Sequence, residues 1–362
     1  MSASLDELRA GIDAVDSEIL SLLSRRAKFA QQVGELKKSQ GTPFFRPDRV
    51  ASVIAKLQGE NGGPLKSEHI ASVWGEIMSA CLSLESPVRV AYLGPAGTFS
   101  EQAAVQHFGQ SIEHVPCSSI DEVFRAAASG AAGFGVVPVE NSSEGVVSRS
   151  LDLLLNSPLH IVGETSLLVR HNLLRLSDNM EGIEAVYAHP QALAQCQGWL
   201  TAHLPTAQRH SAASNAEGAR LASTNPAWAA IASERAGTQF GLHCPAHGIQ
   251  DDAFNRTRFA VVCLPQTLAV PAASASGKDC ISLVVSVTNR PGAVHDILVP
   301  LKHHGVSMTR FESRPARSGQ WEYYFYIDVQ GHPSQANVEA ALFELQQLCA
   351  FYKVLGSYPV ND

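Results

Sequence analysis

No lysine occurs between Lys66 and Lys278, a gap that takes in more than half of the 362 residues. The middle of the chain therefore has no amine for a Schiff base, which excludes pyridoxal phosphate chemistry and lysine-dependent aldol or decarboxylation routes there. Gly-x-Gly-x-x-Gly is missing, as is Gly-Lys followed by Ser or Thr, so neither the dinucleotide fingerprint nor the Walker phosphate loop is available. No apolar run is long enough to span a membrane. A net charge of −7, with no Lys/Arg block interleaved with aromatics, argues against a nucleic-acid surface. The seven cysteines include no Cys-x-x-Cys pair, which fits reduced thiols in a cytoplasm. The stretch from Met1 to Gly11 has neither the basic leader nor the apolar segment of a secretion signal. His243, Cys244 and His247 have no second ligand pair nearby and read as a solvated loop, so no metal and no cofactor is expected.

What is present divides into three textures, and the length suits two or three domains. Residues 1–87 are helical, with one helix of more than thirty residues and two shorter ones after the breaks at Gly41-Thr42-Pro43 and Asn61 to Pro64. Leu5, Ile12, Ile19 and Val33 fall on one seven-residue series and Leu8, Val15, Leu22, Phe29 and Leu36 on its neighbour, giving one apolar stripe. Arg26 interrupts that stripe. A guanidinium stays charged, so burying it costs several kcal/mol unless an anion meets it, the alternative being an arginine that snorkels at a packing rim. Lys37, eleven residues on, lies within roughly 20° of the same face and about 16 Å along the axis, so both cations can converge on one small anion. Three helices leave the stripe half covered, which predicts an all-α, dimeric unit. In an antiparallel dimer, Arg9 of one chain would reach the other chain's site.

Residues 88–266 alternate strand and helix as an α/β domain, with strands at Val88 to Leu93, Gly133 to Val139, Leu159 to Val169, Trp228 to Ala232 and Arg258 to Leu264. The Gly94-Pro95-Ala96-Gly97-Thr98 turn between a strand and a helix is a plausible anion cradle. Polar candidates sit at strand ends and helix starts: Glu140, Asn141 and Ser142, then His189, Gln191 and Gln195, then Thr257 and Arg258. Such positions face the crevice of an α/β fold, although each alone also suits a cap or turn. A Pro-, Ala- and Ser-rich linker leads to residues 278–358, whose βαββαβ order predicts a small open α+β sandwich with helices on one face, a regulatory or dimerising module.

The stretches Gly94-Pro95-Ala96-Gly97-Thr98-Phe99-Ser100, Val137-Pro138-Val139-Glu140-Asn141-Ser142, Tyr187-Ala188-His189-Pro190-Gln191 and Asn255-Arg256-Thr257-Arg258-Phe259 resemble, in that order, the signatures of prephenate dehydratases. The first helix, with Arg9, Arg26 and Lys37, resembles the helical chorismate mutases. Gly292-Ala293-Val294 and Glu312-Ser313-Arg314-Pro315 resemble the phenylalanine-binding elements of ACT domains. The resemblance implies a two-lobed, periplasmic-binding-protein-like dehydratase domain, two substrates (chorismate and prephenate), a regulatory ligand (phenylalanine) and a homodimer. It implies that Arg26 and the partner chain's Arg9 clamp carboxylates, with Lys37 and Glu85 at the ether oxygen. Arg46 and Arg49 would close that site beside Val50 and Cys81. Val50 stands where many relatives place a glutamate, Cys81 where a serine is common, and Ala188 replaces a serine seen in some. The resemblance makes Thr257 the proton donor of the dehydratase step, with Arg258 and Phe259 beside it and Glu140 or His189 as a relay. Two alternatives are a dehydratase whose helical segment is a dimerisation relic, and a two-lobed solute sensor.

Overall fold

A computed structural model describes residues 4–40, 47–267, 278–316 and 323–360. The helix α1 (Leu5–Gln40) begins at a reciprocal capping box: Ser4 N–H donates to Glu7 Oε2 at 2.8 Å and Glu7 N–H to Ser4 Oγ at 3.2 Å. It is followed by α2 (Pro47–Glu60) and α3 (Ser67–Glu85). In the single chain the α1 stripe is bare, with Leu8, Ile12 and Phe29 each more than half exposed. Three helices do not supply enough surface to cover it, as the residue pattern predicts.

The first lobe of the α/β segment contains β1 (Arg89–Leu93), α4 (Phe99–Phe108), β2 (Glu113–Cys117), α5 (Ile120–Ala128), β3 (Phe134–Asn141), β4 (Gly145–Val146), α6 (Ser148–Asn156) and β5 (His160–Leu168). The chain then crosses to a second lobe: β6 (Asn172–Arg175), β7 (Ala185–Ala188), α7 (Pro190–Gln195), α8 (Gln197–His203), β8 (Gln208–Ser211), α9 (Asn215–Ala222), β9 (Trp228–Ala232), α10 (Glu234–Phe240) and β10 (His243–Ala246). It returns as β11 (Arg256–Cys263), which inserts antiparallel between β3 and β5. The sheet orders are β2-β1-β3-β11-β5, with β4 on β3, and β10-β6-β9-β7-β8. Two crossings between two sheets give the expected two-lobed architecture, and the start of β11 lies where they meet. Serine caps recur at Ser119, Ser214 and Ser233, each accepting the N–H three residues on.

The C-terminal module comprises β12 (Asp279–Ser286), α11 (Ala293–His303), β13 (Met308–Pro315), β14 (Tyr323–Gln330), α12 (Ala336–Leu348) and β15 (Phe351–Pro359), in the sheet order β13-β14-β12-β15. One face carries the two helices over Ile281, Leu283 and Val285. The other face is not open. Cys280, Val284, Tyr326, Leu355 and Tyr358 join Leu151, Leu154, Ile161, Ala260 and Val262 of the first lobe in one continuous apolar cluster. Polar ties reinforce it: Tyr326 Oη donates to the Leu151 carbonyl at 2.9 Å, and Lys353 Nζ to the carbonyls of Leu154, Leu155 and Ser157.

Two histidines in the first lobe and its hinge fold in the neutral form. The His107 ring covers Gly163, where a Cβ would lie 2.6 Å from its Cε1, and burial pushes its pKa down to about 4. Burial also lowers that of His171, which is 2% exposed. A depressed folded-state pKa stabilises above the unfolded value and loses that contribution as pH falls through the folded one. Stability is therefore expected to drop by on the order of 2 kcal/mol between about pH 6.5 and pH 4 through His107 alone. Urea midpoints measured across that range check this, and a His107→Phe variant should show a shallower acid slope.

Candidate active sites

Gly34 sets the geometry of the helical site. A Cβ there would come within 2.8 Å of Glu85 Cα, so α1 and α3 pack backbone against backbone at this point. One turn further along α1, Lys37 Nζ meets Glu85 Oε2 at 2.8 Å, with the two side chains 24% and 13% exposed. Glu85 thus does not end its helix in solvent; it neutralises the cation expected at the reacting oxygen. Arg26 is half-buried on α1, and Cys81 is buried. Arg9 is 67% exposed, 3.9 Å from Asp6 and about 42 Å along α1 from Lys37, so a single chain does not bring these two together; Arg49 is exposed. Val50, expected beside the substrate, is half-buried and packs with Leu82 against the first lobe's cluster of Val88, Phe108 and Phe134. Arg46 lies outside the described residues.

The second site is built where β11 leaves the hinge. Register sets Thr257 opposite Asn141 and Arg258 opposite Glu140. Asn141 is buried, and its Oδ1 accepts the backbone N–H groups of Ser143 and Glu144 at 3.0 and 3.2 Å. Those two donors fix the amide orientation, because a carboxamide oxygen accepts and its nitrogen donates. Asn141 Nδ2 must therefore donate, and it reaches Asn255 Oδ1 at 2.8 Å and Thr257 Oγ1 at 2.9 Å. With its oxygen taken as acceptor, the Thr257 hydroxyl keeps its proton to give away. Ser142 closes the arrangement: its Oγ accepts from Arg256 N–H at 2.9 Å. Across the hinge, Gln195 links Glu144 at 3.4 Å to His171 Nε2 at 2.9 Å. Asn255, Glu144 and His171 are additions to the sequence reading. Asn255 belongs to the Asn255–Phe259 stretch, whereas no sequence pattern marks His171.

Several expectations are corrected. Phe259 is 2% exposed in the core with Val90 and Tyr92 and offers no surface to a ligand. Arg258 does not face the crevice: its guanidinium pairs with Glu140 at 3.1 Å, Glu164 at 3.3 Å and Asp328 of the C-terminal module at 3.1 Å. Glu140, expected to relay protons to Thr257, is held on that same opposite face. His189 caps α7, its Nδ1 accepting from Gln191 N–H at 3.3 Å. The Gly94–Thr98 turn holds a carboxylate of its own: Gly97 N–H donates to Glu101 Oε2 at 2.6 Å, and Arg235 of the second lobe ties Glu101 from the far side at 3.0 Å. In the C-terminal module, Gly292 adopts φ +81° at the start of α11, a conformation other residues rarely take, beside buried Ala293 and exposed Val294. On β13, Arg314 reaches Asp152 of α6 at 3.3 Å, Glu312 is half-buried, and Ser313 and Pro315 are exposed.

Three family models match in sequence: chorismate mutase type II over residues 8–86, prephenate dehydratase over 90–267 and the ACT domain over 281–346. The fold and its sites thus define a multifunctional enzyme of aromatic amino acid biosynthesis carrying an ACT module. The chain is 45% identical to the bifunctional chorismate mutase/prephenate dehydratase of Neisseria gonorrhoeae, over 99% of each chain. It belongs to the bifunctional chorismate mutase/prephenate dehydratases. Prephenate dehydratase from Arthrobacter aurescens, solved in complex with L-Phe, superposes with a TM-score of 0.67 at 32% identity over 75% of this chain and 89% of that one. A structure described as a novel type of quorum quenching acylase superposes with a TM-score of 0.68 at 28% identity, over 75% and 98%. One fold thus hosts different chemistries, and the site decides between them. With the helical module matched as a mutase, the chain catalyses both the rearrangement of chorismate and the dehydration of prephenate, and the relic reading falls.

Proposed function

We propose that the mutase reaction runs on α1 and α3 in a homodimer and that the dehydratase reaction runs at Thr257. Chorismate is a dicarboxylate whose rearrangement needs no covalent catalyst, only a compact conformer and stabilisation of charge on the breaking ether oxygen. Arg26 and the partner subunit's Arg9 would hold the carboxylates, with Lys37 at the oxygen. The bare stripe of α1 supports a second copy as its cover. In the dehydratase step the ring carboxylate leaves as carbon dioxide, its bonding pair aromatises the ring, and the departing hydroxide takes up one proton to leave as water. Thr257 is positioned to donate to that hydroxyl, with Gln195 and Ser142 at the crevice. The observation that carries this reading is the Asn141 amide, whose fixed orientation leaves the Thr257 proton available.

Phenylalanine would bind the C-terminal module at Gly292 to Val294 and at Glu312 to Pro315. A spectroscopic assay of the full chain, following chorismate through prephenate to phenylpyruvate with and without phenylalanine, tests the whole reading. Failure to form phenylpyruvate from added prephenate removes the dehydratase assignment.

The Lys37–Glu85 pair carries its own expectation. A carboxyl donates a hydrogen bond only when protonated, whereas a glutamine amide always can. Glu85→Gln places a permanent donor beside Lys37 and is expected to raise mutase kcat/KM about tenfold at neutral pH. Parental kcat/KM in Glu85→Gln would leave the oxygen to Lys37 alone.

A further inference from the structure

The face of β11 turned away from Thr257 carries a charged junction that the two reactions do not use. Arg258 is clamped by Asp328 on β14 at 3.1 Å, and Asp328 is fixed by Ser282 Oγ at 2.6 Å. Arg310 on β13 approaches Glu140 at 3.5 Å and Asp328 at 3.9 Å. Side chains on a strand alternate between faces, so Arg258 and Thr257 share one peptide unit while pointing to opposite sides. Glu140 and Asn141 are related in the same way on β3. Each residue of the Thr257–Asn141 pair therefore has a chain neighbour held by the C-terminal module.

β13 has two faces of its own. Phe311 stacks on Phe325 at 5.3 Å in the cluster under the helices, whereas Arg310 and Arg314 turn to the dehydratase lobe. A displacement of β13 by a ligand on the helical side moves both arginines with it. These ion pairs are largely buried, where an unpaired partner is costly and two discrete arrangements are favoured over gradual drift.

We propose that Arg310 and Asp328 are positioning residues for the dehydratase centre, acting through Glu140 and Arg258, and that this junction carries the phenylalanine signal to Thr257. The second part rests on phenylalanine binding as proposed above. Neither residue touches the substrate: they set the strand backbones on which Thr257 and Asn141 stand.

The test uses the full chain carrying Arg310→Met, Arg310→Lys or the nearly isosteric Asp328→Asn, with mutase turnover per chain as the internal measure of folded protein. Dehydratase kcat is expected to fall about tenfold in Arg310→Met and Asp328→Asn while KM for prephenate moves less than about twofold, and Arg310→Lys should recover part of the loss. Phenylalanine should bind Arg310→Met with close to parental affinity by calorimetry, yet inhibit at a concentration about tenfold higher or not at all. Parental kcat together with parental inhibition overturns the proposal. Loss of phenylalanine binding in Arg310→Met also overturns it, because that places Arg310 in the ligand site. If the parent itself neither binds nor responds to phenylalanine, the regulatory reading fails separately, and the kcat-against-KM split decides the positioning role.

Discussion

Thr257→Ala is expected to reduce dehydratase kcat by about a hundredfold or more while leaving mutase turnover at the parental level, because a positioned proton donor contributes about 10²–10⁴ in rate. The loss is chemical rather than structural. Removing the hydroxyl deletes one hydrogen bond from Asn141, and that amide still has Asn255 Oδ1 as acceptor. Such a change costs about 1 kcal/mol of stability. Thr257→Ser keeps the hydroxyl but frees its rotor, so an intermediate kcat is expected. Steady-state kinetics on prephenate and chorismate with the same preparations settle the matter; a Thr257→Ala enzyme converting prephenate near the parental rate would refute the assignment.

Gly356→Ala should be the most damaging single methyl group in the chain. A Cβ at Gly356 would overlap the carbonyl oxygen of Ile161 and crowd the Ile161 carbon and nitrogen at 2.8 and 2.9 Å, all of them backbone atoms of β5 that cannot swing aside. Relief requires β15 to lift from β5, opening the layer shared by the first lobe and the C-terminal sheet. Overpacking of this kind costs about 3 kcal/mol or more. The expected result is a large fall in the thermal midpoint and a weakened response to phenylalanine, with mutase turnover retained at low temperature. An unchanged midpoint would mean that the two sheets do not approach this closely.

The sequence disclosed the architecture where periodicity was strong. The stripe from Leu5 to Leu36 announced both a long helix and its uncovered face, and the six elements of the C-terminal module were each legible from alternation or helical spacing. The second lobe was less so: β6, β7, β8 and β10 have four residues each, too few to establish a period of two. At the proposed dehydratase site Thr257 and Asn141 lie in contact, whereas Arg258 and Phe259 of the same motif face elsewhere, because a motif groups neighbours along the chain and not partners in space. On a strand consecutive residues part company. Phe259 and Val261 enter one apolar cluster, Ala260 and Val262 another, and Arg258 follows the second pair toward the C-terminal module. In the helical module, Lys37 and Glu85, singled out at distant positions, lie in contact, whereas the packing of Val50 was not legible because a helix's outward face cannot be assigned without knowing what packs against it.

The apolar cluster that runs from Leu151 and Ile161 into Tyr326, Leu355 and Tyr358 bears on how such a chain can be rearranged. A linker rich in Pro, Ala and Ser invites the view of the C-terminal module as a detachable cassette, exchangeable among enzymes that need the same effector. The interior contradicts that view, since the cassette and its host finish one another's hydrophobic layer. A transplanted module would have to bring the complementary side chains of β5, α6 and β11 with it, and a host stripped of its module would present a wet apolar face. Boundaries that are sharp along the chain are blurred in space, so the sensible unit of recombination is the dehydratase lobe and the ACT module together.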